Sequence, residues 1–368
     1  MVLAGKEVKS VAIRTDASFR IGSGHFMRCR TLAEELQRHG AEVEFICHRH
    51  SGNLIDMLRG TFPVRELPPP MNTQTAPDED FVAWLGVSQE KDAADTIAAL
   101  QGWRPDWLIV DHYSLDKTWE MALRPHIERI MVIDDLANRP HDCDLFLDQN
   151  LHPSVNIYNL GLAPPYCKLF LGCNYLIFRP EFREARSKQS RHSNSDVKRI
   201  LVSFGGADLA NTTIKVIQML KKLTITCVVD VVVGTLHPHK KLIKKECSAL
   251  NNFNFHEQTN KMAELMSKAD LAISAGGFTS YELAFLGVPA LLLPATQSQS
   301  LFTAELEECG AAISFDFMED FPDALLQNKL GVLLSSQFSR EKMTNAGYKL
   351  FDGQGIERVC EALLYFSE

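Results

Sequence analysis

The chain has 368 residues, 45% of them hydrophobic and 23% charged, with a formal net charge of −8. That length is too great for one ordinary α/β core and comfortable for two, and the acidic balance argues against a nucleic-acid partner, because binding a phosphate backbone needs clustered Lys and Arg. The one dense basic run, Lys240, Lys241, Lys244 and Lys245, falls on a predicted helix and reads as a solvated face. No apolar run approaches the roughly 20 residues of a membrane span, and the start, Met-Val-Leu-Ala-Gly-Lys-Glu, lacks the basic and apolar regions of a signal peptide. The nine cysteines are odd in number and form no C-x-x-C pair, so they read as reduced thiols of a cytoplasmic protein. His48/His50 and His237/His239 are spaced two apart with no third ligand nearby, so no metal is expected. The expected state is a monomer.

In chain order, Val11–Asp16 is apolar and ends in charge, the pattern of a buried strand. The loop Ala17–Gly24 follows, and His25–His39 then has helical periodicity (Phe26, Cys29, Leu32, Ala33, Leu36) with Gly40 as its stop. Glu42–Cys47 is the next strand, Leu54–Leu58 a short helix and Val64–Leu67 a third strand. Pro68–Pro77 is a Pro-rich surface loop. Asp78–Leu100 reads as helix with a break near Gly86. Trp107–Val110 is a strand that delivers Asp111-His112-Tyr113 at its end, Lys117–Glu128 is helix, and Ile130–Ile133 is a strand that delivers Asp134-Asp135. Leu145–Leu147 is the last short strand of this series.

Residues 150–195 change character, with prolines, asparagines and a closing charged stretch, and are read as an inter-domain linker. A second series of strands and helices then starts. Its strands are Arg199–Phe204, Thr226–Val233, Phe253–His256, Asp270–Ser274 and Pro289–Leu293. Its helices are Asn211–Lys222, Lys240–Leu250, Lys261–Lys268, Thr279–Leu286 and Leu301–Cys309, and the remainder is mostly helical. Such alternation predicts an α/β protein of two Rossmann-like, doubly wound domains facing a cleft. They are residues 1–175, carrying sugar and catalytic groups, and 196–345, binding a nucleotide. Residues 346–368 form a final helix that packs back on the first domain.

In open parallel sheets ligands bind beyond the C-terminal strand ends, which directs attention to three Gly-rich turns. The first lies in Arg14-Thr-Asp16-Ala-Ser18-Phe-Arg-Ile-Gly22-Ser-Gly24-His25-Phe-Met-Arg28. A Gly-x-Gly turn lets backbone approach a ligand, and His25 falls in the first helical turn, where the helix dipole favours the neutral ring of a usable general base. The second is Ser274-Ala-Gly276-Gly277-Phe-Thr279-Ser280-Tyr-Glu282. Its amides and hydroxyls suit a diphosphate without a metal, and Glu282 suits the paired hydroxyls of a ribose; the same residues would also serve as an ordinary helix cap and its box partner. The third, Gly205-Gly206-Ala-Asp208 with Asn211, repeats the device. Asp111-His112-Tyr113 and Asp134-Asp135, at strand ends on the ligand side, could position a sugar; an Asp-Asp pair also suggests a divalent metal, for which an amide-built anion site has less need.

With these motifs in view, the chain resembles the pseudaminic-acid pathway hydrolases that remove UDP from UDP-2,4-diacetamido-2,4,6-trideoxy-β-L-altropyranose. That family is similar to the N-acetylglucosaminyltransferase of peptidoglycan synthesis and shares its GT-B fold. The most specific element is R-x-D-x-S-x-x-I-G-x-G-H-x-x-R, present without a gap from Arg14 to Arg28. The resemblance implies a UDP-sugar substrate, no cofactor, and water attack at the anomeric carbon with inversion. His25, Asp16 and Tyr113 are then the expected catalytic group. Arg14, Ser18, Gly22, Gly24, Arg28, Gly205, Gly206, Gly276, Gly277, Thr279, Ser280, Glu282 and Gln299 are the expected substrate contacts. Ser298 stands where the family commonly has the asparagine of an Asn-Gln pair, and Phe278 where a small polar residue is usual. The alternative on the same fold is an inverting glycosyltransferase with a UDP-sugar donor.

Overall fold

Among the described residues, thirteen short apolar runs, most bounded by glycine or charge, become strands, and every strand pairing is parallel. The computed structural model describes residues 9–70, 81–151, 158–188, 196–205, 208, 210–234, 237–257, 259, 261–317 and 321–366. The chain forms two compact units, Met1–Ile177 with Gln354–Glu368, and Phe178–Gly353.

Unit 1 contains β1 (Ser10–Thr15), α1 (Gly24–Arg38), β2 (Glu42–His48), β3 (Val64–Leu67), α2 (Gln89–Ala99), β4 (Trp107–Asp111), α3 (Lys117–Leu123), β5 (Arg129–Ile133), β6 (Leu145–Asp148) and β7 (Lys168–Leu171). Its sheet runs β3-β2-β1-β4-β5-β6-β7. The order reverses between β1 and β4, where Thr15 lies opposite Asp111, so the loops leaving these two strands flank the crevice in which open sheets hold ligands. β7 falls inside the segment read as linker. Its four half-buried residues at the sheet edge are too few to show alternation. The helix expected over Asp78–Leu100 begins outside the described residues. What is described is one 3₁₀ turn, Phe81–Trp84, followed by α2 from Gln89, which Ser88 caps by accepting from the Lys91 amide. The expected helix Lys117–Glu128 stops at Leu123 and tightens into a 3₁₀ turn containing Pro125.

Unit 2 contains α4 (Pro180–Lys188), β8 (Arg199–Ser203), α5 (Thr212–Lys222), β9 (Val228–Val233), α6 (Lys240–Ser248), β10 (Phe253–Glu257), α7 (Met262–Lys268), β11 (Leu271–Ser274), α8 (Thr279–Phe285), β12 (Ala290–Leu292), α9 (Gln297–Glu308), β13 (Ile313–Ser314), α10 (Asp323–Ser335) and α11 (Gln337–Leu350). The sheet runs β10-β9-β8-β11-β12-β13, with its reversal between β8 and β11. Helix α9 starts a turn earlier than its apolar periodicity indicates, because the Thr296 hydroxyl accepts from the Gln299 amide and caps it.

The last helix, α12 (Gly355–Leu364), belongs to unit 1. Its apolar stripe, Ile356, Val359, Cys360 and Leu363, enters the core that also holds Phe26, Leu32 and Leu36 of α1. The Trp107 indole donates to the Leu363 carbonyl at 2.9 Å. Gly355 sits so close to the Leu176 backbone that a Cβ would fall 2.4 Å from its carbonyl oxygen. Because Leu363 is fully buried, Leu363→Ala is expected to destabilise the protein by about 2–5 kcal/mol, read as a lower urea midpoint at unchanged slope; a shift under about 0.5 kcal/mol would show that α12 adds nothing to the unit 1 core.

Candidate functional site

At the unit 1 crossover a buried carboxylate organises the surrounding groups. Asp111, the last residue of β4, is fully buried. The Arg28 guanidinium donates to it twice, Nε to Oδ2 at 2.6 Å and Nη2 to Oδ1 at 2.8 Å. His25 Nδ1 lies 2.5 Å from Oδ1. An ionised carboxylate can only accept, so Nδ1 carries a proton and donates it to Asp111, and Nε2 is the ring nitrogen left over. Nε2 has no hydrogen-bond partner among the described residues, and His25 retains a small exposure of 9%. Burial alone would raise the Asp111 pKa, but Arg28 and His25 outweigh it and hold the carboxyl well below the usual range.

The same residues meet the loops after β5 and β6. Arg28 Nη1 donates to Asp135 Oδ2 at 2.6 Å and reaches Gln149 Oε1 at 3.4 Å. The Tyr113 hydroxyl donates to Asp135 Oδ2 at 3.1 Å, and its ring meets that of His25 edge-on with centroids 4.4 Å apart. His25, Arg28 and Tyr113 thus form one network, in which Asp111 and Asp135 are the shared acceptors. Asp134 is not free for a cation. It accepts from Arg139 at 2.6 Å and faces His141 Nε2 at 3.0 Å. Burial disfavours charge on His141, yet Glu120 and Asp134 at its two nitrogens push its pKa up to about 9. No group of His, Cys, Asp or Glu side chains among the described residues is arranged to hold a metal ion.

Arg14 and Asp16 lie deeper than a substrate contact requires, at 0% and 1% exposure. Arg14 pairs with Asp92 at 2.6 Å and with Asp16 at 2.9 Å. Asp16 Oδ1 accepts the His48 amide at 2.7 Å, while Oδ2 faces His50 and His112 at 3.4 Å each. The pair tethers the ends of β1, β2 and β4 from beneath. Ser18 is used locally, since its hydroxyl accepts the Ile21 amide at 2.9 Å and its carbonyl accepts the Gly22 amide at 2.9 Å. Gly22 has φ +77°, which explains a glycine there. Gly24 has neither a positive φ nor a neighbour within 4 Å of a would-be Cβ, so nothing among the described residues demands it.

In unit 2 the amides of Gly276, Gly277, Phe278 and Thr279 donate to no described residue. Four successive free amides at a turn form a concave anion binder. Gly276 is required by packing, because a Cβ would lie 2.6 Å from Thr303, whereas Gly277 faces open space. The Thr279 hydroxyl has no described partner, but that of Ser280 donates back to the Gly277 carbonyl at 2.8 Å and closes the turn. Glu282 is buried and faces Arg179 Nη2 at 2.9 Å, an arginine the sequence did not single out. Burial pushes the Glu282 carboxyl up, and Arg179 only partly offsets this. Gln299 folds back to accept the Ala295 amide at 2.9 Å. Gly205 is exposed with φ +78°; Gly206 and the Ser298 side chain lie outside the described residues. Asp208 accepts the Thr212 and Thr213 amides at 2.8 Å each, so a carboxylate already satisfies the α5 N-terminus.

Residues 200–358 match the glycosyltransferase family 28 C-terminal domain. The spore coat polysaccharide biosynthesis protein SpsG of Bacillus subtilis is 32% identical over 53% of this chain and 58% of its own length, so the chain spans little more than half of that relative. The UDP-2,4-diacetamido-2,4,6-trideoxy-beta-L-altropyranose hydrolase of Campylobacter jejuni is 26% identical over 74% of this chain and 87% of its own. The crystal structure of Acinetobacter baumannii MurG superposes with a TM-score of 0.66 at 14% identity, covering 97% of this chain and 100% of that one. At that identity the likeness concerns the fold, which is the GT-B type with two Rossmann-like units expected from the sequence. No helix among the described residues is long and apolar enough to cross a membrane.

Asp111→Asn leaves Arg28 buried and underpaired, which is expected to cost about 3–5 kcal/mol at pH 7. Because the folded Asp111 pKa is depressed, its stabilisation is fully present above the unfolded value of about 3.9 and is lost as pH falls below it. Urea unfolding should therefore show a large gap between wild type and Asp111→Asn at pH 7 that narrows toward pH 3. A gap independent of pH would mean that the Asp111 charge is not what stabilises the network.

Proposed function

We propose that the chain is a nucleotide-sugar hydrolase of the cytoplasm that releases UDP from a UDP-linked 2,4-diacetamido-2,4,6-trideoxy sugar. Water attacks the anomeric carbon, with inversion. The observation that carries this reading is the His25–Asp111 pair, an imidazole whose Nδ1 proton is held by a carboxylate while Nε2 stays open beyond the C-terminal end of the unit 1 sheet. A base so oriented takes a proton from water as the water oxygen bonds to the anomeric carbon, and Asp111 stabilises the imidazolium that forms. The bond from that carbon to the β-phosphate oxygen breaks with its electron pair, and UDP departs. The imidazolium then returns its proton to solvent.

The roles of the remaining residues follow from what each touches. Arg28 and Tyr113, joined through Asp135, fix the position of His25 and line the sugar subsite. Gly22 and Gly24 bring backbone close to the sugar, while Ser18, Arg14 and Asp16 hold that loop from below. In unit 2 the free amides of Gly276–Thr279 take the pyrophosphate and the charge that grows on it during cleavage, a task that needs no metal. Glu282, oriented by Arg179, accepts from the ribose hydroxyls, and Gln299 and Gly205 line the nucleotide subsite. The sugar's identity is carried by the relatives' names together with the unbroken motif from Arg14 to Arg28.

The family 28 domain and the MurG likeness favour a second reading, transfer of the sugar to an acceptor hydroxyl. Incubation with the UDP-linked sugar alone separates them: stoichiometric UDP and free sugar, with anomeric inversion seen by NMR, supports hydrolysis, and no release without an acceptor rejects it. His25→Asn is expected to lower kcat by about 10²–10⁴-fold at unchanged UDP affinity; near-normal turnover removes His25 as the base. Gly277→Ala is expected to stay within about 0.5 kcal/mol of wild type yet weaken UDP binding in calorimetry, because its Cβ meets nothing in the protein and would sit beside the amides proposed to hold the pyrophosphate. Gly276→Ala, which collides with Thr303, is expected to lower Tm instead. Equal UDP affinity in Gly277→Ala and wild type would place the pyrophosphate elsewhere.

A further inference from the structure

Phe81 and Trp84, which none of the roles above uses, build an aromatic cluster onto Tyr113 in the loop after β4. The 3₁₀ turn Phe81–Trp84 is fastened to it, because the Ser114 hydroxyl donates to the Phe81 carbonyl. The Trp84 ring lies nearly parallel to Tyr113, at 24° with centroids 5.7 Å apart, and stands across His25 at 77° and 6.1 Å. Phe81 supports both, 4.8 Å from Trp84 and 5.3 Å from Tyr113. Phe81 and Trp84 are only half-buried, so part of this apolar surface is accessible beside the general base.

The polar groups around His25 have a contrasting chemistry. Arg28, Asp111, Asp135 and the Tyr113 hydroxyl are polar but already bond to one another. They leave few donors or acceptors for sugar hydroxyls, and a site rich in aromatic surface with few open polar groups prefers a ligand of the same balance. A 2,4-diacetamido-2,4,6-trideoxyhexose has that balance. It carries two acetamido methyls and a C6 methyl, and apart from the anomeric position it keeps one ring hydroxyl.

We infer that Trp84, supported by Phe81, is a specificity-determining wall of the sugar subsite that selects methyl-rich deoxy sugars over sugars bearing 4- and 6-hydroxyls. The inference rests on the proposed function for the site and adds to it the residue that sets sugar choice. Trp84 makes its contact through ring surface, which phenylalanine largely retains and alanine abolishes.

The test measures binding in the His25→Asn background, which holds substrate unreacted. The UDP-linked diacetamido-trideoxy sugar, UDP-N-acetylglucosamine and UDP are titrated into that variant and into versions that also carry Trp84→Ala or Trp84→Phe. UDP release by the wild type is followed in parallel. Trp84→Ala should weaken the deoxy-sugar nucleotide about tenfold or more, corresponding to about 1.4 kcal/mol, while changing UDP-N-acetylglucosamine less and UDP not at all. Trp84→Phe should recover most of the loss. Unchanged preference between the two UDP-sugars, or an equal loss of UDP affinity, overturns the wall. Trp84-dependent preference in a protein whose wild type releases no UDP keeps the wall and rejects the hydrolase reading.

Discussion

Asp111 is a charge the fold cannot leave unpaired. It ends a central strand with no exposure to water, where an ionised carboxylate survives only if fully hydrogen-bonded. Arg28 supplies two of those bonds and His25 a third, both from one face of α1, where positions three apart are neighbours. The pairing therefore determines which way α1 turns its first residues and which nitrogen of His25 is left without a described partner. Asp135 and Gln149 complete the second edge of the Arg28 guanidinium. The β1, β4, β5 and β6 strand ends thus share one electrostatic knot.

A second layer lies beneath it. Arg14, Asp16 and Asp92, with His48 and His112, are buried almost completely and face one another. Arg14 and Asp16 tie β1 to its neighbours from the interior. Unit 2 solves its own problem with fewer charges. Its turn after β11 leaves amides open, and the neighbouring α5 terminus is closed by Asp208. Among the described residues, the turn after β11 leaves four successive amides without a partner, while the amides of Thr212 and Thr213 at the α5 terminus are already taken by Asp208.

Much of the fold was legible because it is repetitive. Alternating apolar runs and amphipathic helices, with stops such as Gly40 and Gly287, mark most strands and helices to within a few residues. The failures share a cause: the edge strands β7 and β13 are too short and too half-buried to carry a period, and the turn at Phe81–Trp84 is fixed by a distant serine hydroxyl. In the site, His25, Arg28 and Tyr113 were visible from one motif and one strand end. Asp111 stood in view, though its partnership with His25, 86 positions away, did not. Arg179 and Trp84 gave no local signal at all.

The sequence by itself determined that the chain is a doubly wound α/β protein with glycine turns at strand ends, since periodicity and glycine act over a few neighbouring residues. It also carried the family resemblance in an unbroken stretch of fifteen positions. Only the tertiary structure decided which acids pair with which bases, that Arg14 and Asp16 are interior tethers, and that Ser280 is spent on its own turn. Those outcomes depend on burial and on hydrogen-bond distances between residues remote in sequence, and a one-dimensional pattern holds no measure of either.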